Sequence, residues 1–112
     1  MKIVNRKEKA TPSITAVGDW GELPVRINIV NWRSESEFSP DELHFHLKGT
    51  ETYAVLEGSA IFEVNGREVN VDSRHALVIE PREKHRLREI TDYPYLSVIV
   101  NTINDNSDRV KA

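Results

Sequence analysis

Short runs of alternating apolar and polar residues, each closed by a turn, leave this chain one class of fold to enter. Val25-Arg26-Ile27-Asn28-Ile29 alternates strictly, and Val30 and Trp32 extend the run. Period-two alternation rich in β-branched residues is the mark of a half-buried strand. Further short strand-like runs, some alternating and some apolar throughout, cover residues 43–47, 52–56, 60–64, 68–71, 76–79, 86–90 and 95–101. Asn65-Gly66 lies between two of them, and both residues tolerate the positive φ that a type I′ hairpin turn requires. Glu57-Gly58 reads as a stop between two strands, and Lys48-Gly49-Thr50 as a turn. No window sustains a 3.6-residue period. Strands of about five residues with turns every eight to twelve residues predict an all-β sandwich or barrel.

The predicted organisation is an N-terminal arm over residues 1–22, a β-barrel over 23–103 and a polar C-terminal tail over 104–112. The arm is punctuated by Pro12, Gly18 and Gly21 and is expected to add a strand against the body. The tail, Asn104-Asp105-Asn106-Ser107-Asp108, is expected to fray. With 112 residues the chain makes one domain. Its 38% apolar content is thin for a domain this small, which makes oligomerisation an expectation from the outset.

Composition removes several functions. Fifteen Lys and Arg are interspersed with eighteen Asp and Glu, for a net charge of −3. No basic stripe supports nucleic-acid binding. There is no cysteine, so disulfides, thiolate ligands and a cysteine nucleophile are all excluded. The N-terminus MKIVNRKEKATPS lacks the apolar run of a signal peptide, and no stretch of the sequence spans a membrane. The expectation is a soluble cytoplasmic protein. There is no Gly-rich phosphate loop and no G-x-S-x-G elbow.

The chemistry sits in His44-Phe45-His46. On a strand, residues i and i+2 share a face, so both imidazoles project into one space while Phe45 packs on the other side. Glu51 follows a four-residue interval and opens the next strand, where the turn at Lys48-Gly49-Thr50 sets it beside the histidines. His85 opens a later strand after Pro81-Arg82-Glu83-Lys84, and closure of a barrel would bring it to the same place. Three imidazoles and one carboxylate suit Mn, Fe, Co, Ni, Cu or Zn.

His44-x-His46-x4-Glu51-x6-Gly58 resembles the first motif of the cupin superfamily, and residues 74–89 resemble the second, with His85 in its metal-binding place. Fifteen residues separate Gly58 from Arg74, as in small single-domain cupins. The resemblance covers roughly residues 38–89. It implies a double-stranded β-helix, or jelly-roll, barrel, usually a homodimer, and metal-ligand roles for His44, His46, Glu51 and His85. The turn residues depart from the pattern. Phe38 and Arg74 stand where the motifs open with glycine, Glu80 replaces the proline with Pro81 shifted by one, Arg82 replaces the internal glycine, and Glu89 the final asparagine. The stretch ETYAVLEG is also similar to small proteins of mannose-6-phosphate-isomerase-like type.

Around the cluster, Tyr53 shares parity with Glu51 and is the candidate catalytic residue, its hydroxyl placed to orient a ligand. Val55, Phe62 and Leu87 are expected to line an apolar cavity with it. Glu63 and Glu89 read mostly as solvated face, and Glu89, which shares parity with His85, is the better placed of the two to reach the site. Arg26, Arg86 and Arg88 read as solvated, His75 as a turn residue, and Trp20 and Trp32 as packing or dimer-interface anchors. Three functions remain open. One is a metal-dependent enzyme, an isomerase or dioxygenase acting on a small sugar or organic acid. The others are a non-enzymatic small-molecule-binding module and a barrel whose ion is purely structural.

Overall fold

Two long antiparallel strands carry the architecture of the computed structural model, which describes residues 1–5, 20 and 23–112. The strands among the described residues are β1 (Arg26–Trp32), β2 (His44–His46), β3 (Glu51–Val64), β4 (Arg67–Asp72), β5 (Ala76–Ile79), β6 (His85–Asn101) and β7 (Arg109–Lys111). β3 pairs with β6 along nearly its whole length, and each half of this pair gains a different outer partner. The first half of β3 pairs with β5 and the second half of β6 with β1, giving the order β5-β3-β6-β1. The other halves pair with β4 and β2, and β2 with β7, giving β4-β3-β6-β2-β7. The halves face each other: Tyr53 from one meets Phe62 from the other with ring centroids 4.7 Å apart. The core fills the space between them, with Val30, Trp32, Val55, Leu87, Ile90, Tyr95 and Ile99 all buried.

Glu57-Gly58 is therefore not the expected stop but a bend inside one continuous strand. Register shifts flank it between Val55 and Glu57 and between Glu57 and Ser59, and bulges of this kind bend and twist a strand without ending it. Gly58 supplies φ +79° at the bend. The hairpin turn is as expected, with φ of 50° at Asn65 and 80° at Gly66.

Glu89 is on the solvated face as expected, but a further bulge removes its shared parity with His85. Phe62 pairs with Leu87, but Ile61 pairs with Glu89, so Arg88 is an extra residue on β6. The alternation slips by one there: Leu87 and Ile90 point inward and Glu89 is exposed. A single inserted residue reverses every parity beyond it.

The chain end also differs from expectation. Residues 109–111 form β7 against β2, with Phe45 opposite Val110, and the amide of Ala112 donates to the Leu43 carbonyl at 3.0 Å. The polar residues before it are structural. Asp105 accepts from the Ser107 amide at the start of a 3-10 turn, Asn106–Asp108, and Asp108 is buried. The strand expected from the arm falls mostly outside the described residues.

Arg82, which stands where the cupin motif carries glycine, adopts the left-handed φ of +69°. Its amide donates to the His46 carbonyl at 2.7 Å, which ties the turn before β6 to β2. The left-handed region costs a side-chain-bearing residue about 1–2 kcal/mol, and glycine loses part of that gain through unfolded-state entropy. Arg82→Gly is accordingly expected to stabilise the protein by about 0.5–1 kcal/mol in urea denaturation. A destabilised variant would contradict this account of the turn.

Candidate metal centre

Three strands deliver four side chains to one buried point. His44 and His46 come from β2, with Phe45 between them turned the other way. Glu51 is the first residue of β3 and His85 the first of β6. His44 and His85 are directly paired across β2 and β6, with ring centroids 4.3 Å apart. One ligand atom from each of His44, His46, Glu51 and His85 lies within 4.8 Å of all the others. All four side chains are buried, His85 completely.

The hydrogen bonds behind the rings decide what the rings present. His44 Nδ1 lies 2.7 Å from the Glu42 carbonyl and His85 Nδ1 lies 2.9 Å from the Glu83 carbonyl. A carbonyl only accepts, so each Nδ1 carries a proton, and the neutral form of each ring turns its Nε2 lone pair inward. His85 Nε2 then faces Glu51 Oε1 at 3.1 Å, lone pair against carboxylate. A cation or a proton between them resolves that repulsion. His46 Nε2 is buried without a hydrogen-bond partner, 3.4 Å from Glu51 Oε2. Facing lone pairs and an orphaned ring nitrogen are what a metal ion satisfies, so the donor set fits a divalent cation of intermediate hardness.

Electrostatics keep the donors in ligand form. Burial pushes the His44 imidazole down to about 4, so it is neutral at pH 7. Burial alone would raise the Glu51 carboxyl, but positive charge shared with His46 and His85, together with the Tyr53 hydroxyl, outweighs it and holds the carboxyl well below the usual carboxylate range. Tyr53 donates its hydroxyl to Glu51 Oε1 at 2.7 Å. Burial and the adjacent Glu51 charge raise the Tyr53 hydroxyl well above its ordinary value, so it stays protonated and keeps that bond. Val55, Phe62 and Leu87 are buried core residues, as is Tyr53.

Two polar residues at the cluster were missed in the sequence. Asn101 is buried, lies beside Glu51 across the β3–β6 pair, and brings Nδ2 within 3.4 Å of Glu51 Oε2. Its signal was a polar residue ending the inward series Tyr95, Ser97, Ile99. Asp108 carried no such signal because it stands in a run of polar residues. It accepts from the amides of Lys48 and Gly49 at 2.9 and 3.0 Å, fixing the β2–β3 connection. Gly49 is needed for close approach: a Cβ there would collide with Asn101 Oδ1 and lie 2.8 Å from Asp108 Oδ2.

The remaining candidates lie away from the cluster. Arg86 pairs with Glu63, and Arg88 with Glu68. Arg26 reaches Asn106. His75 is exposed beside Asp72. Trp32 stacks on Tyr95 and meets the edge of Phe38, which makes it core, and Trp20 is half-buried.

No protein-family model matches the sequence, and no curated protein matches it. Solved structures do match by shape. A protein from Planctomyces limnophilus superposes with TM-score 0.67 at 18% identity, covering 97% of this chain and 95% of that one. An uncharacterised protein with a double-stranded β-helix domain from Klebsiella pneumoniae gives 0.65 at 18% identity, covering 79% and 70%. A variant of Pac13 from Streptomyces, solved with uridine, gives 0.64 at 15% identity, covering 85% and 74%. Pac13 is described as a nucleoside dehydratase. Identities this low speak for fold alone. The chain has the double-stranded β-helix fold of the cupins, and it holds a buried cluster of three histidines and one glutamate between its two sheets.

Proposed function

We propose that this protein is a metal-binding cupin that holds one divalent ion on His44, His46, His85 and Glu51 and presents it to a small polar molecule. The observation that carries the proposal is the set of inward Nε2 lone pairs around an ionised, buried carboxylate. Four protein ligands leave one or two positions free on a five- or six-coordinate ion. A bound ion would there polarise a carbonyl or hydroxyl, or lower the pKa of water. The chain's own part is to fix ligand tautomers through the Glu42 and Glu83 carbonyls, to hold Glu51 ionised and oriented through Tyr53 and Asn101, and to exclude water with the apolar residues around Tyr53 and Phe62.

A small sugar or organic acid is the proposed ligand class. The structural likeness to a protein solved with uridine supports a polyhydroxylated molecule, and the ETYAVLEG resemblance supports a sugar. The test loads the protein with manganese and measures water-proton relaxation. An enzyme or a ligand-binding site is expected to enhance relaxation, because water exchanges at an open position. Manganese that binds without enhancement would make the ion purely structural and overturn the proposal.

We also propose that two copies pair through the outer face of the β5-β3-β6-β1 sheet. Two cross-strand rows turn away from the core there, Ile27–Val100–Thr52–Val78 and Ile29–Val98–Ala54–Ala76. Neither row holds a charge, and Val78 is 50% exposed. The outer face of the other sheet carries the Arg86–Glu63 and Arg88–Glu68 pairs instead. An uncharged face is self-complementary because pairing it desolvates no ion. Sedimentation is expected to give a dimer for the wild type and a monomer for Val78→Lys. A monomeric wild type would remove this part of the proposal.

A further inference from the structure

We infer that the adjacent C-terminal residues Asp108 and Arg109 are positioning residues for the metal centre, each acting behind a different histidine. The inference rests on the metal-site proposal above and concerns a segment with the composition of a tail.

Each imidazole needs something on its Nδ1 side to fix its tautomer and orientation, and such outer partners commonly change metal affinity 10- to 100-fold. His85 has the Glu83 carbonyl and His44 has the Glu42 carbonyl. His46 has neither. The group facing its Nδ1 is the Asp108 carboxylate, with Oδ2 at 3.9 Å. That is an electrostatic contact rather than a hydrogen bond.

The carboxylate is built into its place. Lys48 and Gly49 amides bind its two oxygens, the Leu47 amide binds the Asp108 carbonyl at 2.9 Å, and the side chain is 7% exposed. A fixed negative charge on that side favours the proton on Nδ1 and frees Nε2 for the ion. It also counters Glu51, whose carboxylate draws the same proton toward Nε2 from 3.4 Å.

Arg109 works on the next histidine. Its Nη2 donates to Asp41 Oδ1 at 2.8 Å, and Asp41 Oδ2 lies 3.5 Å from His44 Nδ1. The same Nη2 is 3.3 Å from His44 Nδ1. Arg109 thus pins Asp41 behind the ring that already bonds the Glu42 carbonyl. Consecutive residues lie beside both β2 histidines because β7 runs antiparallel to β2, with His46 opposite Arg109.

The test titrates cobalt(II) into metal-free wild type, Asp108→Asn and Arg109→Ala, following the visible ligand-field bands, with folding of each checked by circular dichroism. Asp108→Asn is expected to bind cobalt 10- to 100-fold more weakly with shifted bands, and Arg109→Ala several-fold more weakly. A merely structural role would lower the melting temperature but leave the bands of bound cobalt unmoved. Folded variants that bind within twofold of wild type, with superimposable bands, would overturn the inference. If Asp108→Asn does not fold, Arg109→Ala decides, since Arg109 is exposed. Wild type that binds no cobalt would instead refute the metal site itself.

Discussion

His85→Ala is expected to lose stoichiometric metal and, with it, all stabilisation by added metal. His85 is fully buried, sits directly opposite His44, and faces Glu51 at 3.1 Å. Its loss removes one donor of four and leaves the buried Glu51 carboxylate less compensated. Affinity should fall by more than the roughly 100-fold that losing an outer partner can cost. A ligand at 100 times its Kd stabilises a fold by about 2.7 kcal/mol, so chelation should lower the wild-type melting temperature by roughly 10 °C or more. The variant should show no such shift. His75→Ala is the control, because His75 is exposed on a turn beside Asp72 and should leave metal content unchanged. Elemental analysis after desalting checks both. A His85→Ala protein with a full complement of metal would refute the site.

Gly58→Ala is expected to destabilise the protein strongly for a single added methyl. The residue stands at φ +79°, where a side chain costs about 1–2 kcal/mol. Its Cβ would lie 2.5 Å from the backbone oxygens of both Asp92 and Pro94, and 3.1 Å from Tyr95 Cα. Backbone on the partner strand cannot swing aside as a side chain can, so overpacking adds about 1–3 kcal/mol. The sum is about 2–5 kcal/mol, a large share of the roughly 5–15 kcal/mol that holds a domain together. The bend in β3 makes this glycine necessary, because there the strand lies against the backbone of Asp92–Tyr95 in β6. Thermal unfolding of metal-free protein should show a loss of roughly 15 °C. A loss of a few degrees would mean that β3 and β6 separate at the bend more easily than their packing indicates.

The strands were legible because their pattern is local. Alternation marks β1 almost to the residue, a short apolar run marks β5, and Asn65-Gly66 marks the β3–β4 hairpin by backbone chemistry alone. The convergence of His44, His46 and Glu51 was legible for the same reason, since parity and a short turn suffice. What was not legible depends on partners distant in sequence. A glycine followed by a small polar residue looks the same whether a strand ends or bends, and only pairing with residues 92–97 makes Gly58 a bend. Glu89 is solvated as its charge indicates, but its parity was not legible, because a bulge is a property of two strands together. Asp108 and β7 were missed because a polar run looks like a tail until its carboxylate finds the Lys48 and Gly49 amides some sixty positions earlier. The turn before β6 shows the converse. The glycine of the motif is gone, yet Arg82 adopts the left-handed backbone, held by its bond to the His46 carbonyl.

The most direct test of the metal centre is anomalous diffraction at the zinc edge from crystals of the zinc-loaded protein. The expected result is one strong peak per chain, about 2.0–2.1 Å from an Nε2 of His44, His46 and His85, with a Glu51 oxygen at a similar distance. Zinc at His75 and Asp72 instead, or no ordered zinc between the two sheets, would contradict it.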